Sequence, residues 1–165
     1  RLLDLSIGTL WPSLKRWLKM VKTHKNILKN KERKSLLKFV KSKVKDLGPL
    51  FPGLQSESNL HEYKEINVLL TKINKLITPY CIQKCWANYT DGSYIAWHEH
   101  PSKYALVYYL YSPENLGVMF QKENNKIEYT KGLENSIVMF NSNKIHSVPN
   151  SPKKINRYTI SWDLI

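Results

Sequence analysis

The apolar residues change period once along the chain, near residue 80. Before that point they recur at helical spacing. In WPSLKRWLKMVK, residues 11–22, Leu14, Trp17, Leu18 and Val21 fall at i, i+3, i+4 and i+7, and Pro12 suits a first helical turn. In KERKSLLKFVKSKVKD, residues 31–46, Leu36, Leu37, Val40 and Val44 make the same stripe while lysines fill the other face. Gly48, Pro49, Pro52 and Gly53 then stop helix and open a loop. The stretch NLHEYKEINVLLTKINKLI, residues 59–77, predicts a third helix with Leu60, Tyr63, Ile66, Leu70, Ile73 and Ile77 on one face. Asn59 with Glu62 three residues later reads as its capping box, and Pro79 ends it.

From residue 81 onward the apolar residues alternate, or run in short blocks between polar clusters such as SPENLG and NSPKKIN. This spacing predicts strands near 82–89, 94–99, 104–111, 117–121, 126–129, 136–140, 145–149 and 156–163. Eight short strands after a helical half indicate an α+β protein, a β-sandwich or small barrel with helices packed on one sheet. The division expected is a basic helical segment over 1–53 and a β domain over 54–165 that includes its supporting helix.

Charge sharpens that division. Residues 1–50 hold 14 Lys and Arg against 3 Asp and Glu, whereas residues 51–165 hold 12 against 10. The basicity belongs to the N-terminal third, where residues 15–45 are a solvated lysine face or a surface for an anionic partner. Glycine is sparse, and no glycine-rich phosphate loop or nucleophile elbow occurs. No apolar run approaches the roughly 20 residues of a membrane span. Cys81 and Cys85, four apart, form neither a CxxC motif nor a disulfide framework. These features predict a soluble, intracellular, cytoplasmic protein, and its Lys, Asn and Ile content suits an AT-rich genome, viral or phage genomes included. The chain opens on Arg1 rather than Met, which leaves a preceding segment open. Oligomeric state is not encoded in any pattern here.

Candidate chemistry gathers in the strand-rich half. Of five histidines, His98 and His100 stand one residue apart in AWHEHP, and on a strand such a pair shares one face. His146 lies on another expected strand. An HxH pair and a distant His make a metal-ligand set of three. Eleven residues after His146 comes Arg157, inside the alternating final strand, where a buried guanidinium needs an anion. Thr159, two residues on, faces the same side. Arg157 is either a carboxylate clamp beside the metal or a structural arginine paired with Glu99 or Asp163. His24 and His61, in the helical part, read as solvated or packed.

In order and spacing, WANYTDGSYIAWHEHPSKYALVYYLYSPENLG and GLENSIVMFNSNKIHSVPNSPKKINRYTISWD resemble the iron(II)- and 2-oxoglutarate-dependent oxygenases, and most the small phage and marine-bacterial branch of that superfamily. Five elements carry the resemblance. They are Asn88 with Gly92; His98, His100 and Pro101; Tyr108, Tyr109 and Leu110; Phe140, Ser142, His146, Val148, Pro149 and Asn150; and Arg157 with Thr159. Asn141 stands where the pattern usually has Pro. Tyr89 through Gly92 to His98 is also similar to the Y-x-x-G-x5-H spacing of prolyl hydroxylases. The resemblance covers about residues 59–165.

The resemblance implies a double-stranded β-helix, a jelly roll of about eight strands, as the oxygenase domain. It implies iron(II), 2-oxoglutarate and O2, with an unknown substrate hydroxylated, a protein side chain such as proline being the class suggested by the spacing. It places the metal on His98, His100 and His146, and 2-oxoglutarate on Arg157 and Thr159 with help from Asn88, Tyr89 and Tyr108; one of Tyr89, Tyr108 and Tyr109 is expected to reach a carboxylate of 2-oxoglutarate. The family at large has a carboxylate where this chain has His100. Three readings stand: a three-histidine site, a site with water in place of His100, or a weak or inactive site. Two other functions stay open, a three-histidine cupin-type enzyme without 2-oxoglutarate and a non-catalytic jelly-roll module of a virion or assembly with a vestigial metal site.

Overall fold

The computed structural model describes residues 21–48, 52–151 and 153–165. Ten strands and two helices are described. The strands are β1 (Lys22–Lys25), β2 (Leu54–Gln55), β3 (Ile82–Thr90), β4 (Ile95–His98), β5 (Tyr104–Tyr111), β6 (Val118–Gln121), β7 (Ile127–Thr130), β8 (Ser136–Asn141), β9 (His146–Val148) and β10 (Arg157–Leu164). The helices are α1 (Asn30–Lys43) and α2 (Asn67–Ile77). All eight strands expected from the alternation are present within a residue or two of their expected bounds.

The strands form two antiparallel sheets, six-stranded in the order β1-β8-β5-β10-β3-β2 and four-stranded in the order β4-β9-β6-β7. They face each other as the two walls of a double-stranded β-helix, which is not a closed barrel. The final strand, β10, lies inside the larger sheet, between β3 and β5. Its period-2 alternation therefore separates two environments. Ile160, Trp162 and Leu164 join Leu106, Tyr108, Ile137, Cys85 and Ala87 in a core against the helices, to which α1 gives Leu36 and Val40 and α2 gives Leu69, Ile73 and Ile77. The opposite face of the sheet gives Ala105, Tyr109, Val138 and Phe140, which meet Val118 and Phe120 of the smaller sheet.

Three differences from the sequence reading have local causes. The helix expected over 11–22 falls outside the described residues except for its last two; of these, Lys22 opens β1, which extends the larger sheet by pairing with β8. The helix expected over 59–77 begins as two short 3-10 turns, Leu60–Glu62 and Lys64–Ile66, and becomes α-helical only at Asn67. Asn59 caps no backbone N–H; its side-chain amide instead donates to Glu62 Oε2 at 3.1 Å, so the expected capping box does not form. The cap is used at α1, where the Lys29 N–H donates to Glu32 Oε2 at 2.7 Å and Lys41 and Lys43 complement the dipole at the other end. Lys31, Lys34, Lys38 and Lys41 of α1 face solvent. No helix among the described residues is long and apolar enough to cross a membrane.

Candidate active site

Between the two sheets lies a cavity of about 460 Å³, ample for a small diacid with part of a second ligand. Three histidines stand at one end. His98 ends β4 and is register-paired with His146, which opens β9. His100 is not on the strand, as the i, i+2 argument required. It lies just past the end of β4, its backbone N–H donating to the Ser142 carbonyl at 3.1 Å. The loop nevertheless returns its ring to the other two. One ligand atom from each imidazole lies within 4.8 Å of the others, a spacing that one metal ion would close.

The hydrogen bonds fix which nitrogen of each ring is free. His98 Nδ1 contacts the Ala96 carbonyl at 2.7 Å and His146 Nδ1 the Lys144 carbonyl at 2.8 Å. His100 Nδ1 lies 3.1 Å from Asp163 Oδ1. Each acceptor requires the proton on Nδ1, which leaves three Nε2 lone pairs for an ion. Burial reinforces the neutral form. It holds His98 below the ordinary histidine range and pushes His146 down to about 3, with the Lys144 carbonyl opposing. The donor set, three imidazoles each with its Nδ1 held by an outer partner, fits a divalent metal of the iron, cobalt or zinc kind.

Arg157 also faces the cavity, from the first position of β10. It is 3% exposed and makes no ion pair with a carboxylate among the described residues. Its Nε is buried and finds no hydrogen-bond acceptor. The structural alternative, a pair with Glu99 or Asp163, is not what the chain forms; Asp163 is engaged by His100 instead. The Tyr109 ring lies 5.4 Å from the guanidinium carbon, a cation–π contact that does not neutralise the charge. Burial depresses the Arg157 pKa, with Tyr109 opposing. A guanidinium left this way in a cavity wall is prepared for an anion.

A polar ladder runs from Arg157 along the same wall. Gln55 Nε2 donates to Asn88 Oδ1 at 2.8 Å, and Asn88 Nδ2 reaches Thr159 Oγ1 at 3.5 Å and Ser161 Oγ at 3.3 Å. Thr159 therefore accepts from Asn88 and keeps its own O–H to donate. Gly92, in the turn after β3, has φ +98, and a Cβ there would sit 2.9 Å from the Lys153 carbonyl oxygen. Its lack of a side chain lets Ser151, Lys153 and Ile155, just before β10, lie against the turn that follows β3.

His98, His100, His146, Arg157, Thr159 and Asn88 all line the cavity. Tyr108 and Tyr89 do not. Strand alternation turns Tyr108 toward the helices, where its hydroxyl donates to Asn135 Oδ1 at 2.9 Å. Tyr89 packs at a tilt against Tyr158 and donates to Asn156 Oδ1 at 2.8 Å. Of the three tyrosines, Tyr109 is the one beside Arg157. Sequence reasoning gave no place in the site to Gln55, Trp86, Ser161 and Asp163, the last weighed only as an ion-pair partner of Arg157. The last two were visible as a continuation of the polar alternation Arg157, Thr159, Ser161, Asp163; Gln55 and Trp86 carried no such signal.

Comparison with solved structures decides the fold. A prolyl hydroxylase from Trichoplax adhaerens, in complex with a hypoxia inducible factor peptide fragment, superposes with a TM-score of 0.70 at 15% identity, over 93% of this chain and 89% of that one. The fold is that of the iron(II)- and 2-oxoglutarate-dependent oxygenases. A viral collagen prolyl hydroxylase from Paramecium Bursaria Chlorella virus-1, in its 2-oxoglutarate complex, gives 0.64 at 15% identity, over 88% and 95% of the two chains. HygX from Streptomyces hygroscopicus, with nickel, 2-oxoglutarate and hygromycin B bound, gives 0.69 at 9% identity, over 87% and 82%. No protein-family model matches the sequence, and neither does any curated protein.

Proposed function

We propose that the chain is an iron(II)- and 2-oxoglutarate-dependent oxygenase that hydroxylates a protein side chain, with prolyl peptides the first class to test. One observation carries the reading. A fully buried arginine with no anionic partner among the described residues opens into the same cavity as three convergent imidazoles. A metal site alone has no use for it, and a purely structural module would not leave it uncompensated.

The roles follow from the positions. His98, His100 and His146 hold the metal through Nε2. Arg157 takes the distal carboxylate of 2-oxoglutarate, and the Thr159 hydroxyl donates to the same group. Asn88, held by Gln55, keeps Thr159 oriented. Iron with 2-oxoglutarate and O2 supplies the oxidising chemistry, in which 2-oxoglutarate becomes succinate and CO2 as the substrate is hydroxylated. Ala105, Val107, Val118, Phe140 and Val148 are among the apolar side chains that line the cavity beside these groups. The prolyl preference is supported by the Y-x-x-G-x5-H spacing and by three prolyl hydroxylases among the structural neighbours.

The neutral ligand set favours one rival, a three-histidine enzyme that does not use 2-oxoglutarate; Arg157 separates the two. The test is succinate formation from 2-oxoglutarate by iron-loaded protein in air, with and without proline-containing peptides. Succinate that rises with a peptide and vanishes in His146→Ala is the expected result. Metal-loaded protein that neither binds nor consumes 2-oxoglutarate would establish the rival.

A further inference from the structure

The three imidazoles are not equivalent. His98 and His146 each present Nδ1 to a neutral backbone carbonyl two residues earlier in the chain, but His100 presents it to a carboxylate, Asp163. We propose that Asp163 is the positioning residue of this metal centre: it holds the His100 ring with Nε2 turned to the ion and supplies, one bond further out, the negative charge that the ligand set lacks. The proposal rests on the reading of the three histidines as a metal site, and not on 2-oxoglutarate chemistry.

Three observations carry it. Asp163 sits on the central strand β10 and is 3% exposed, yet no Lys or Arg among the described residues lies within ion-pairing distance. A carboxylate buried there without a cation is costly; the His100 Nδ1–H between it and the metal position donates to it, and a metal ion on Nε2 would supply the countercharge. Second, the oxygen it offers His100 also accepts from Ser102 Oγ at 3.3 Å, so the carboxylate is itself oriented. Third, His100 lies beyond the end of β4, so no ladder aims its ring. The loop backbone is clasped: the His100 N–H donates to the Ser142 carbonyl, the Lys103 N–H to the Leu164 carbonyl at 2.8 Å, and the Ser142 hydroxyl to the Ser102 carbonyl. Those bonds fix the loop and leave χ angles to the side-chain contact. Asp163 lies outside the cluster of ligand atoms itself, so it acts through His100. A carboxylate on the outer nitrogen of a metal-bound histidine sets ring orientation and raises ligand basicity. The neutral HxH motif and the anion six residues past Arg157 are thus two parts of one site.

The test is titration of the metal-free full chain with Zn(II) and Co(II), each in competition with a chromophoric chelator, for wild type, Asp163→Asn and Ser102→Ala, with thermal melts of the metal-free proteins alongside. Asn keeps the shape and an acceptor oxygen and removes the charge. The expected result is a melting temperature near wild type, metal affinity about 10- to 100-fold weaker and an altered Co(II) visible spectrum. Ser102→Ala, which only loosens Asp163, is expected to cost about threefold; it carries the test if Asp163→Asn does not fold. Wild-type affinity and an unchanged Co(II) spectrum in the folded variant would overturn the role of Asp163 and leave the metal centre standing. Wild-type protein that binds neither ion would overturn both.

Discussion

The two faces of β10 are made of one strand and do opposite work. Ile160, Trp162 and Leu164 point to the helices and are fully buried among apolar side chains. Arg157, Thr159, Ser161 and Asp163 alternate with them and are buried too, at 3%, 2%, 7% and 3% exposure, but the first three line a cavity and Asp163 meets His100. A central strand has no need of four polar side chains on its inner face, and each one weakens the core. The helix face holds the fold together, and the cavity face spends part of that stability to hold ligands. Substitutions on the two faces should therefore separate stability from binding.

The largest expected effect is on the helix face. Ile160→Ala removes a fully buried side chain that does not line the cavity and should cost about 2–5 kcal/mol in denaturant unfolding, with ligand binding lost only as the fold is lost. On the other face the sign reverses. Arg157→Met removes a buried, unpaired charge, so the ligand-free protein should melt at the same or a higher temperature than wild type. The apparent KM for 2-oxoglutarate should meanwhile rise by roughly two orders of magnitude, with metal content unchanged. A fall in melting temperature with unchanged 2-oxoglutarate kinetics would make Arg157 an ordinary structural residue and erase the contrast. Thr159→Val, a gentler change on the same face, should weaken 2-oxoglutarate by about three- to tenfold, measured by the same kinetics.

At neutral pH the next comparison leaves no trace, and it appears only in base. Tyr108 and Tyr109 are neighbours on β5 that face the helices and the smaller sheet respectively. Burial raises both hydroxyls, Tyr109 to about 12, with Arg157 opposing. The unfolded chain releases these protons near pH 10, earlier than the folded chain does, so the folded state binds more protons in between. Stability should be intact below about pH 10 and fall as the pH rises toward 12. Thermal melts across that window check it, and Tyr109→Phe should flatten part of the slope.

The sequence disclosed the strands well, because half-buried strands alternate and the loops between them are polar. Strand alternation likewise put His98, His146, Arg157 and Thr159 on faces that line one cavity, since a strand fixes which neighbours share a face. Where a residue leaves the strand the argument fails. His100 reaches the cluster from a loop, by a tether that the i, i+2 rule does not describe. Tyr89 and Tyr108 were assigned to the site by their place in a motif, although alternation from Asn88 and from Val107 already turned them the other way. Asp163 stood in plain alternation with Arg157 and Thr159, but its partner lies 63 residues earlier in the chain, and no local pattern joins the two. The edge strand β1 could not be read because its register depends on β8.

The most direct test of the central claim, that the metal end and the arginine end form one site, is anaerobic titration of iron(II)-loaded protein with 2-oxoglutarate, followed by visible absorption. A charge-transfer band that saturates in wild type, needs far more 2-oxoglutarate in Arg157→Met and is absent in His146→Ala is the expected result. Iron bound with no band in wild type, or a band indifferent to Arg157, would contradict it.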